Sequence, residues 1–323
     1  MVASRNKLSN DLLSRVGDFV ATRTEQDESL VVGLSGGCDS VVLLHLLASL
    51  GLGHRLSAVH VHHGLSSNAD YWADFCSSLC AQLGVMLLVK RVDVDLRSGQ
   101  GLEAAARAAR YAAFSACNQH TFFLAHHQGG QAETLLFNLL RGSGVAGAAA
   151  MADQRQHGEL RILRPLLNIS RSALEAYALI NKLAWIEDES NADTTLTRNF
   201  LRHQVLTVIN QRFPAAEQNL AQAARNFAEA SELLDELALA DWQMACDGEA
   251  LHLARLRMLS AQRIKNLLRF RLRQLTWQAP VAARLDEFVR QLMTAGPDRH
   301  PELKLVAGIM RAGKGRLIWM AQK

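Results

Sequence analysis

The residues with the clearest chemical potential form one short string, Ser35-Gly36-Gly37-Cys38-Asp39-Ser40, between a predicted strand and a predicted helix. Two adjacent glycines let the backbone turn sharply and approach a ligand closely. The first turn of the following helix presents unpaired N–H groups and the positive end of the helix dipole. Ser35 and Ser40 add hydroxyl donors. The string therefore predicts a cradle for a phosphate or pyrophosphate group.

Asp39 stands inside this cradle and carries a charge of the same sign as the expected ligand. It would repel a phosphate unless a cation lay between them, so we expect Asp39 to bind Mg²⁺ shared with the phosphates. The structural alternative is a tight strand-to-helix turn in which Asp39 caps the helix. The string has neither the Gly-Lys-Ser/Thr of a Walker A loop nor the G-x-G-x-x-G of a dinucleotide-binding turn.

A second group of polar residues, His60, His62 and His63, follows the second predicted strand. Ligands of open parallel sheets bind at the carboxyl ends of the strands, so His60 is expected in a wall of the nucleotide pocket. Three histidines also raise the alternative of a metal site. We discount it because neither a cysteine nor a carboxylate lies close by in the sequence.

Two sets of arginines are spaced to share a helical face. Glu103, Arg107 and Arg110 are four and three residues apart, and Arg198 and Arg202 are one turn apart. For Arg198 and Arg202, a pair of arginines beside a nucleotide site suits contacts with phosphates or an RNA backbone. The alternative for the first set is an exposed, ion-paired face, and for the second a solvated helix end.

The elements that must position these residues alternate between strand and helix through the first part of the chain. Continuous apolar strands between helices predict an α/β fold, a parallel twisted sheet with helices on both faces. The predicted strands are residues 29–34, 56–61, 85–92 and 121–125. The predicted helices are residues 4–24, 39–50, 68–83 with Asn68 as N-cap, 102–117 and 131–140.

The pattern changes after Gly142. Residues 142–150 are rich in glycine and alanine and predict a mobile loop, and a helix is expected over 170–182 with Ser170 as its N-cap. Pro214 is interpreted as a hinge. We expect a catalytic domain over 1–214 and a mainly helical domain over 215–323, with a small hairpin around 311–316 near the end.

Composition narrows the class of protein. The 323 residues carry a formal net charge of +4, which permits a polyanionic partner such as RNA without requiring one. Five scattered cysteines without a CxxC argue against a disulfide framework or a zinc knuckle. No apolar segment is long enough to span a bilayer and no signal core is visible, so a cytoplasmic protein without a membrane partner is expected. The oligomeric state is left open, with a homodimer as one alternative.

The Ser-Gly-Gly-x-Asp-Ser string resembles the PP-loop of ATP pyrophosphatases, which cleave ATP between the α- and β-phosphates and adenylate a substrate. Further strings resemble one branch of that superfamily, the tRNA(Ile)-lysidine synthetases. Asn191 together with the Arg198-Asn199-x-x-Arg202 string is the most discriminating of them. These strings span residues 60–65, 103–111, 125–134, 139–144, 187–193 and 198–203.

The resemblance implies ATP and Mg²⁺ as cofactors, and tRNA(Ile) with a CAU anticodon and L-lysine as substrates. Such enzymes adenylate the wobble cytidine, after which the lysine amine displaces AMP. It implies catalytic roles for Asp39, Glu133 and Arg198. It implies ATP contacts from Ser35, Gly36, Gly37, Cys38, Asp39, Ser40, His60 and Arg107. It implies substrate contacts from Arg110, Arg141, Asn191 and Arg202.

The sequence departs from this family at Gly129-Gly130, where two acidic residues or Asn-Asp usually stand. An acidic side chain there would hold the ammonium of lysine, so the glycines predict weakened or abolished lysine transfer with ATP binding retained. Glu133 would take over part of the role. The chain is also shorter than family members that carry a further C-terminal domain, which indicates a naturally short form or a truncation.

Two alternatives stay open. One is another PP-loop tRNA-modifying enzyme such as a tRNA thiolase, although those acting on cytidine commonly use a CxxC pair or an iron–sulfur cluster. The other is a catalytically silent RNA-binding protein on the same fold, which Gly129-Gly130 keeps open.

Overall fold

Six strands form one sheet in the first part of the chain, and the apolar runs of the sequence account for its central members. The computed structural model describes residues 2–95, 97, 101–296 and 298–322, and for residues 2–6 it describes the backbone alone. The strands are β1 Leu30–Gly33, β2 Leu56–His62, β3 Met86–Arg91, β4 Thr121–Phe123, β5 Gln154–His157 and β6 Leu160–Leu163.

The strand order is β3-β2-β1-β4-β6-β5, and every neighbouring pair is parallel except β5 with β6. This confirms the predicted parallel sheet and adds an antiparallel edge strand that we did not predict. The side chains of β5, Gln154–His157, are all exposed and polar, so its sequence carries no apolar signal. With β1 at the centre, the carboxyl ends of β1, β2, β4 and β6 meet at one edge.

Helices cover both faces of this sheet. Leu30 and Val32 of β1 pack into one apolar cluster, whereas Val31 between them packs into a second cluster with Phe114 and Phe122. This alternation is the period of two expected of a strand that is buried on both sides. The helices are α1 Val2–Arg23, α2 Cys38–Ser49, α3 Ala69–Gln82, α4 Leu102–Ser115, α5 Gln128–Leu140, α6 Val145–Ala148, α7 Arg171–Ile180, α8 Thr197–Phe200, α9 Thr207–Arg212 and α10 Ala216–Ala245.

The structure tests three local predictions, the N-caps Ser170 and Asn68 and the loop over 142–150. Ser170 accepts a hydrogen bond from the Ala173 N–H at 3.2 Å, which confirms it as an N-cap. Asn68 occupies the N-cap position of α3, but its side chain makes no capping bond and instead donates to Glu189. The predicted loop over 142–150 was wrong in part, because α6 forms there and the Asn138 side chain donates to its Gly147 carbonyl at 2.8 Å.

The chain divides into two compact units, Met1–Ala228 and Glu229–Lys323. The division falls within α10, later than the predicted boundary after residue 214. That domain boundary stays a prediction.

The second unit combines helices with a small sheet. Helices α12 and α13 pack through Leu267, Leu268 and Phe288 into a core that also takes in Leu317 of the sheet. The predicted hairpin around 311–316 is confirmed, but the remaining strands were missed because they are short. The elements are β7 Cys246–Asp247, β8 Ala250–His252, α11 Leu253–Leu256, α12 Ala261–Gln274, α13 Ala282–Thr294, β9 Glu302–Leu305, β10 Gly308–Gly313 and β11 Arg316–Ala321, in the sheet order β7-β8-β11-β10-β9.

Among the described helices, none is both long and apolar enough to cross a membrane.

Candidate active site

The phosphate-loop string lies where the sequence predicted it, between the end of β1 and the start of α2. Gly36 has a φ of +91°, a conformation that side chains with a Cβ rarely adopt. A Cβ built on Gly36 would also lie 2.7 Å from Ile186 Cδ1, and the Gly36 carbonyl accepts from the Ile186 N–H at 2.9 Å. Both the turn and the close contact with Ile186 therefore require glycine.

The two serines of the loop fix its shape from within. The Ser35 N–H donates to Ser40 Oγ at 3.2 Å, and the two hydroxyl oxygens lie 3.0 Å apart. Ser40 Oγ donates to the Gly37 carbonyl at 2.9 Å, and the Gly37 N–H donates to Ser35 Oγ at 3.3 Å. Burial raises the pKa of the Cys38 thiol to about 11, so this side chain stays neutral. These hydrogen bonds fix the shape of the loop through its own residues.

Asp39 points one carboxylate oxygen at a histidine and leaves the other without a partner. Oδ2 lies 3.5 Å from His127 Nε2, whereas Oδ1 is buried and has no hydrogen-bond partner among the described residues. His127 caps α5, and its Nδ1 accepts from the Gly129 N–H at 3.1 Å, so its proton is on Nε2. A buried carboxylate oxygen without a partner is unfavourable unless a cation joins it. The Asp39 side chain therefore fits the expected Mg²⁺.

His60 is buried beneath the loop. Its Nδ1–H donates to the Leu34 carbonyl at 2.9 Å, and the Cys76 sulfur lies 3.5 Å from the same nitrogen. This hydrogen bond from His60 therefore supports the backbone of Leu34, the residue just before the loop. In the described part of the chain, no group of three or more histidine, cysteine or carboxylate side chains could hold a metal ion.

Four arginines and one histidine gather at the edge where the parallel strands end. The neighbouring strands β4 and β6 end in register at Phe123 and Leu163, and just beyond this edge Arg164 Nε donates to His126 Nδ1 at 3.1 Å. Arg164 is only 2% exposed, and its Nη1 donates to the Ala152 carbonyl at 2.7 Å. The hydrogen-bond partners of Arg164 among the described residues are therefore neutral.

The positive charges of this cluster act on one another. Burial, followed by Arg107, lowers the pKa of Arg198, and burial with Arg107 and Arg198 among its neighbours also lowers the pKa of Arg110. Arg110 Nε is buried without a hydrogen-bond partner among the described residues. We name Arg107, Arg110, Arg164, Arg198 and His126 the arginine cluster. Like charges held together in this way favour binding of an anion.

The sequence did not predict Arg164 as a site residue, and it included His126 only within the string of residues 125–134. Their shared signal is position, because Arg164 directly follows β6 and His126 lies three residues beyond the end of β4. That signal became specific only when the order of the strands was known, since β6 is separated from β4 by α5, α6 and β5 along the chain.

Glu133 and Arg202 are brought together as an ion pair on facing helical segments. Arg202 Nε donates to Glu133 Oε1 at 2.6 Å, and Nη2 donates to Oε2 at 3.2 Å. The pairing commits both oxygens of Glu133. Nearby, Asn199 Nδ2 donates to the Ser190 and Asp193 carbonyls, and His203 Nε2 donates to the Asn191 carbonyl at 2.9 Å. These bonds pin the segment that contains Asn191 to the helix of Arg198.

Arg141 lies apart from this assembly. It follows the last residue of α5, whereas His127 precedes the first, so about 20 Å of helix separates them. Its guanidinium stacks over the Phe137 ring at 5.0 Å and the side chain is exposed.

Gly129 and Gly130 occupy the first turn of α5 and differ in the space around them. A Cβ built on Gly129 would lie 3.0 Å from His127 Cε1 and 3.2 Å from Glu217 Oε2. A Cβ on Gly130 would meet only Met151 Cε, at 3.6 Å. A side chain at position 129 is therefore crowded, whereas one at position 130 is not.

Two family models match the chain. One, described as a PP-loop domain, matches residues 8–209, and the other, described as a TilS substrate binding domain, matches residues 251–318.

Two curated relatives show the extent of the sequence similarity. A tRNA(Ile)-lysidine synthase from Azoarcus sp. strain BH72 is 50% identical over 277 residues, which cover 84% of this chain and 62% of that protein. A tRNA(Ile)-lysidine synthase from Pseudomonas aeruginosa is 43% identical over 305 residues, covering 90% of this chain and 68% of that protein. The chain thus spans less than two thirds of the length of the Azoarcus relative.

Among solved structures, a U34-tRNA thiolase (NcsA) from Methanococcus maripaludis superimposes with a TM-score of 0.56. The match covers 69% of this chain and 80% of that chain at 15% identity, a likeness of fold alone.

Proposed function

Because the chain belongs to the tRNA(Ile)-lysidine synthase family, we propose that it joins L-lysine to the wobble cytidine of tRNA(Ile) with a CAU anticodon. In the first step the cytidine is adenylated by ATP and pyrophosphate leaves. In the second step the lysine amine forms the new C–N bond and AMP leaves. The fold and the site supply anion-binding groups for the first step.

The observation that carries the proposal is the placement of the arginine cluster at the sheet edge beside the phosphate loop. The loop follows β1, and His126 and Arg164 lie beyond the carboxyl ends of the neighbouring strands β4 and β6. Burial lowers the pKa of His126, and Arg107, Arg110 and Arg198 lie near enough for their charges to lower it further. A buried Arg164 with only neutral described partners and an unpartnered Arg110 Nε favour a ligand with several negative charges. ATP and a tRNA phosphate backbone together meet that requirement.

Each part of the site then has a defined task. The loop of Ser35 to Ser40 holds the β- and γ-phosphates that leave as pyrophosphate. Asp39 would hold Mg²⁺, which would supply positive charge to offset that of the phosphates. Arg107 and Arg198 stabilise the α-phosphate during adenylation, because arginine presents a planar fork to phosphate oxygens.

The remaining residues position those groups. His127, with its proton on Nε2, holds Asp39 from one side and leaves Oδ1 for the metal. Glu133 holds Arg202 by two hydrogen bonds, so Arg202 is available to an RNA phosphate only at its free edge. Arg110 and Asn191 face the RNA in this proposal. Arg141, at the far end of α5, contacts tRNA away from the reacting groups.

The test uses the full chain with an unmodified tRNA(Ile) transcript of anticodon CAU, ATP and labelled L-lysine. We expect AMP release that depends on both tRNA and lysine, with lysine retained on the tRNA. The matched control is the same transcript with the wobble cytidine changed to uridine, which should accept no lysine. ATP binding without any lysine incorporation under these conditions would contradict the proposal.

A second candidate is a catalytically silent RNA-binding protein, and Gly129-Gly130 is the observation that favours it. In the same assay this candidate predicts tRNA and ATP binding without AMP release. The predicted weakening of lysine transfer by these two glycines is tested by restoring aspartate at both positions. A rise in lysine incorporation on restoration would support that prediction.

A further inference from the structure

Glu217 places a carboxylate next to the first turn of α5. It lies in the first turn of α10 and is half-buried, and its Oε1 accepts from Asn210 Nδ2 at 3.0 Å. Its Oε2 lies 3.2 Å from the point where a Cβ of Gly129 would stand. His127 Cε1 is 3.0 Å from the same point, on the ring whose Nε2 faces Asp39. Glu217 thus borders the candidate active site.

This carboxylate has no salt-bridge partner among the described residues. Of the other two carboxylates of the site, Glu133 gives both oxygens to Arg202, and the unpartnered Oδ1 of Asp39 is the oxygen assigned above to Mg²⁺. A half-buried negative charge without a cation is unfavourable, and a bound cation would offset the cost. The first turn of a helix also favours an acidic residue through the helix dipole, which is the purely structural explanation.

We propose that Glu217 binds an ammonium group of the lysine substrate, an inference that rests on the proposed function. Lysine carries two ammonium groups, and the one that attacks the adenylated cytidine must first lose its proton. A carboxylate stabilises the charged form of an amine beside it. Glu217 therefore holds the α-ammonium, which does not react, and leaves the side-chain amine free to become the nucleophile.

Gly129 and Glu217 form a matched pair in this proposal. Without a Cβ at position 129, the Glu217 carboxylate approaches the turn from α10. An acidic side chain at position 129 would crowd both His127 and Glu217 and place a second negative charge beside the first. The carboxylate that the turn lacks is thereby supplied from another helix, and lysine binding is retained despite Gly129-Gly130.

The experiment measures lysine binding directly, by equilibrium dialysis of labelled L-lysine with the full chain, Mg²⁺, the tRNA transcript and an ATP analogue whose α- and β-phosphates are joined by a methylene bridge, so that no transfer takes place. Glu217→Gln removes the charge but keeps the shape and the oxygen that accepts from Asn210. We expect it to weaken lysine binding about tenfold or more, the usual effect of losing a charged hydrogen bond. ATP binding and lysine-independent pyrophosphate release should stay within about twofold of wild type.

The matched control is Glu229→Gln, the same change at an exposed position of the same helix. It should leave lysine binding unchanged. Competition by two analogues then identifies the group that Glu217 holds. Norleucine keeps the α-ammonium, so the Glu217→Gln substitution should weaken its binding. 6-Aminohexanoate lacks the α-ammonium, so the substitution should leave its weak binding unaltered.

Three results would overturn the inference. They are wild-type protein that binds no lysine, a Glu217→Gln variant that binds lysine as wild type does, and a parallel loss of ATP and lysine binding that reveals a structural role. Lysine binding that depends on Glu217 without transfer to the tRNA would support the inference while contradicting the proposed function. The two proposals therefore fail in distinguishable ways.

Discussion

The Arg202 guanidinium donates two hydrogen bonds to the Glu133 carboxylate, from Nε to Oε1 at 2.6 Å and from Nη2 to Oε2 at 3.2 Å. The pair is unequal in burial, since the Glu133 side chain is 3% exposed and that of Arg202 is 32% exposed. Removing one partner therefore has different consequences on the two sides. A solvated guanidinium tolerates the loss of its partner far better than a buried carboxylate does.

Loss of Arg202 should destabilise the protein more than loss of the Glu133 charge. We expect Arg202→Met to lower the free energy of unfolding by about 3 kcal/mol, because the buried Glu133 charge is left alone. Glu133→Gln should cost about 1 kcal/mol, and the double variant should recover part of the Arg202→Met loss. Urea unfolding measures all three. An Arg202→Met cost no larger than that of Glu133→Gln would contradict the asymmetry.

Gly36→Ala should damage the phosphate loop through both strain and crowding. The left-handed φ of +91° and Ile186 Cδ1 at 2.7 Å act together against a methyl group. We expect about 1–3 kcal/mol of lost stability and weaker ATP binding, measured by urea unfolding and by titration with labelled ATP. Gly51→Ala is the matched control, since Gly51 has a φ of +72° with no atom within 4 Å of a Cβ. Equal losses of stability in both variants would show that crowding by Ile186 plays no part.

Much of the fold followed from the sequence because its signals are local. The apolar runs of β1 and β2 and the string of residues 35–40 each occupy a few consecutive positions, so strand, turn and helix can be identified without tertiary information. The exposed polar strand β5 and the two-residue strand β7 lack such a signal and exist only through pairing with their neighbours.

The candidate site was predicted less completely, for a related reason. The roles of Asp39 and of the loop glycines in binding Mg²⁺ and phosphate could be predicted from six consecutive residues. Arg164 and Glu217 are ordinary charged residues in the sequence, and only the sheet order and the turn before α10 bring them to the site. The hydrogen bonds between Glu133 and Arg202 likewise join residues that are 69 positions apart in the sequence.

Asp39→Asn should separate metal binding from folding. In wild type without metal, the buried Oδ1 is a charged oxygen without a partner, so neutralising it should leave stability unchanged or higher. Mg²⁺ with ATP should raise the melting temperature of wild type but raise that of Asp39→Asn much less. Thermal unfolding with and without Mg²⁺ measures both effects. Asp27→Asn, at an exposed position, is the control and should respond to Mg²⁺ as wild type does. A full Mg²⁺ response in Asp39→Asn would contradict the assignment.

His126 should make stability fall in mild acid. Burial first, and then Arg164 and its neighbours, lower the pKa of His126 well below its usual value. In the unfolded chain a histidine titrates at about pH 6.5. Below that pH the unfolded state therefore binds more protons than the folded state. The contribution is complete above about pH 6.5 and declines as the pH falls, by up to about 1.4 kcal/mol per pH unit. Urea unfolding between about pH 5 and 8 should therefore show a shallower acid slope for His126→Gln than for wild type. His54→Gln, at an exposed site, should keep the wild-type slope, and identical slopes for all three proteins would rule out a neutral His126 in the folded state.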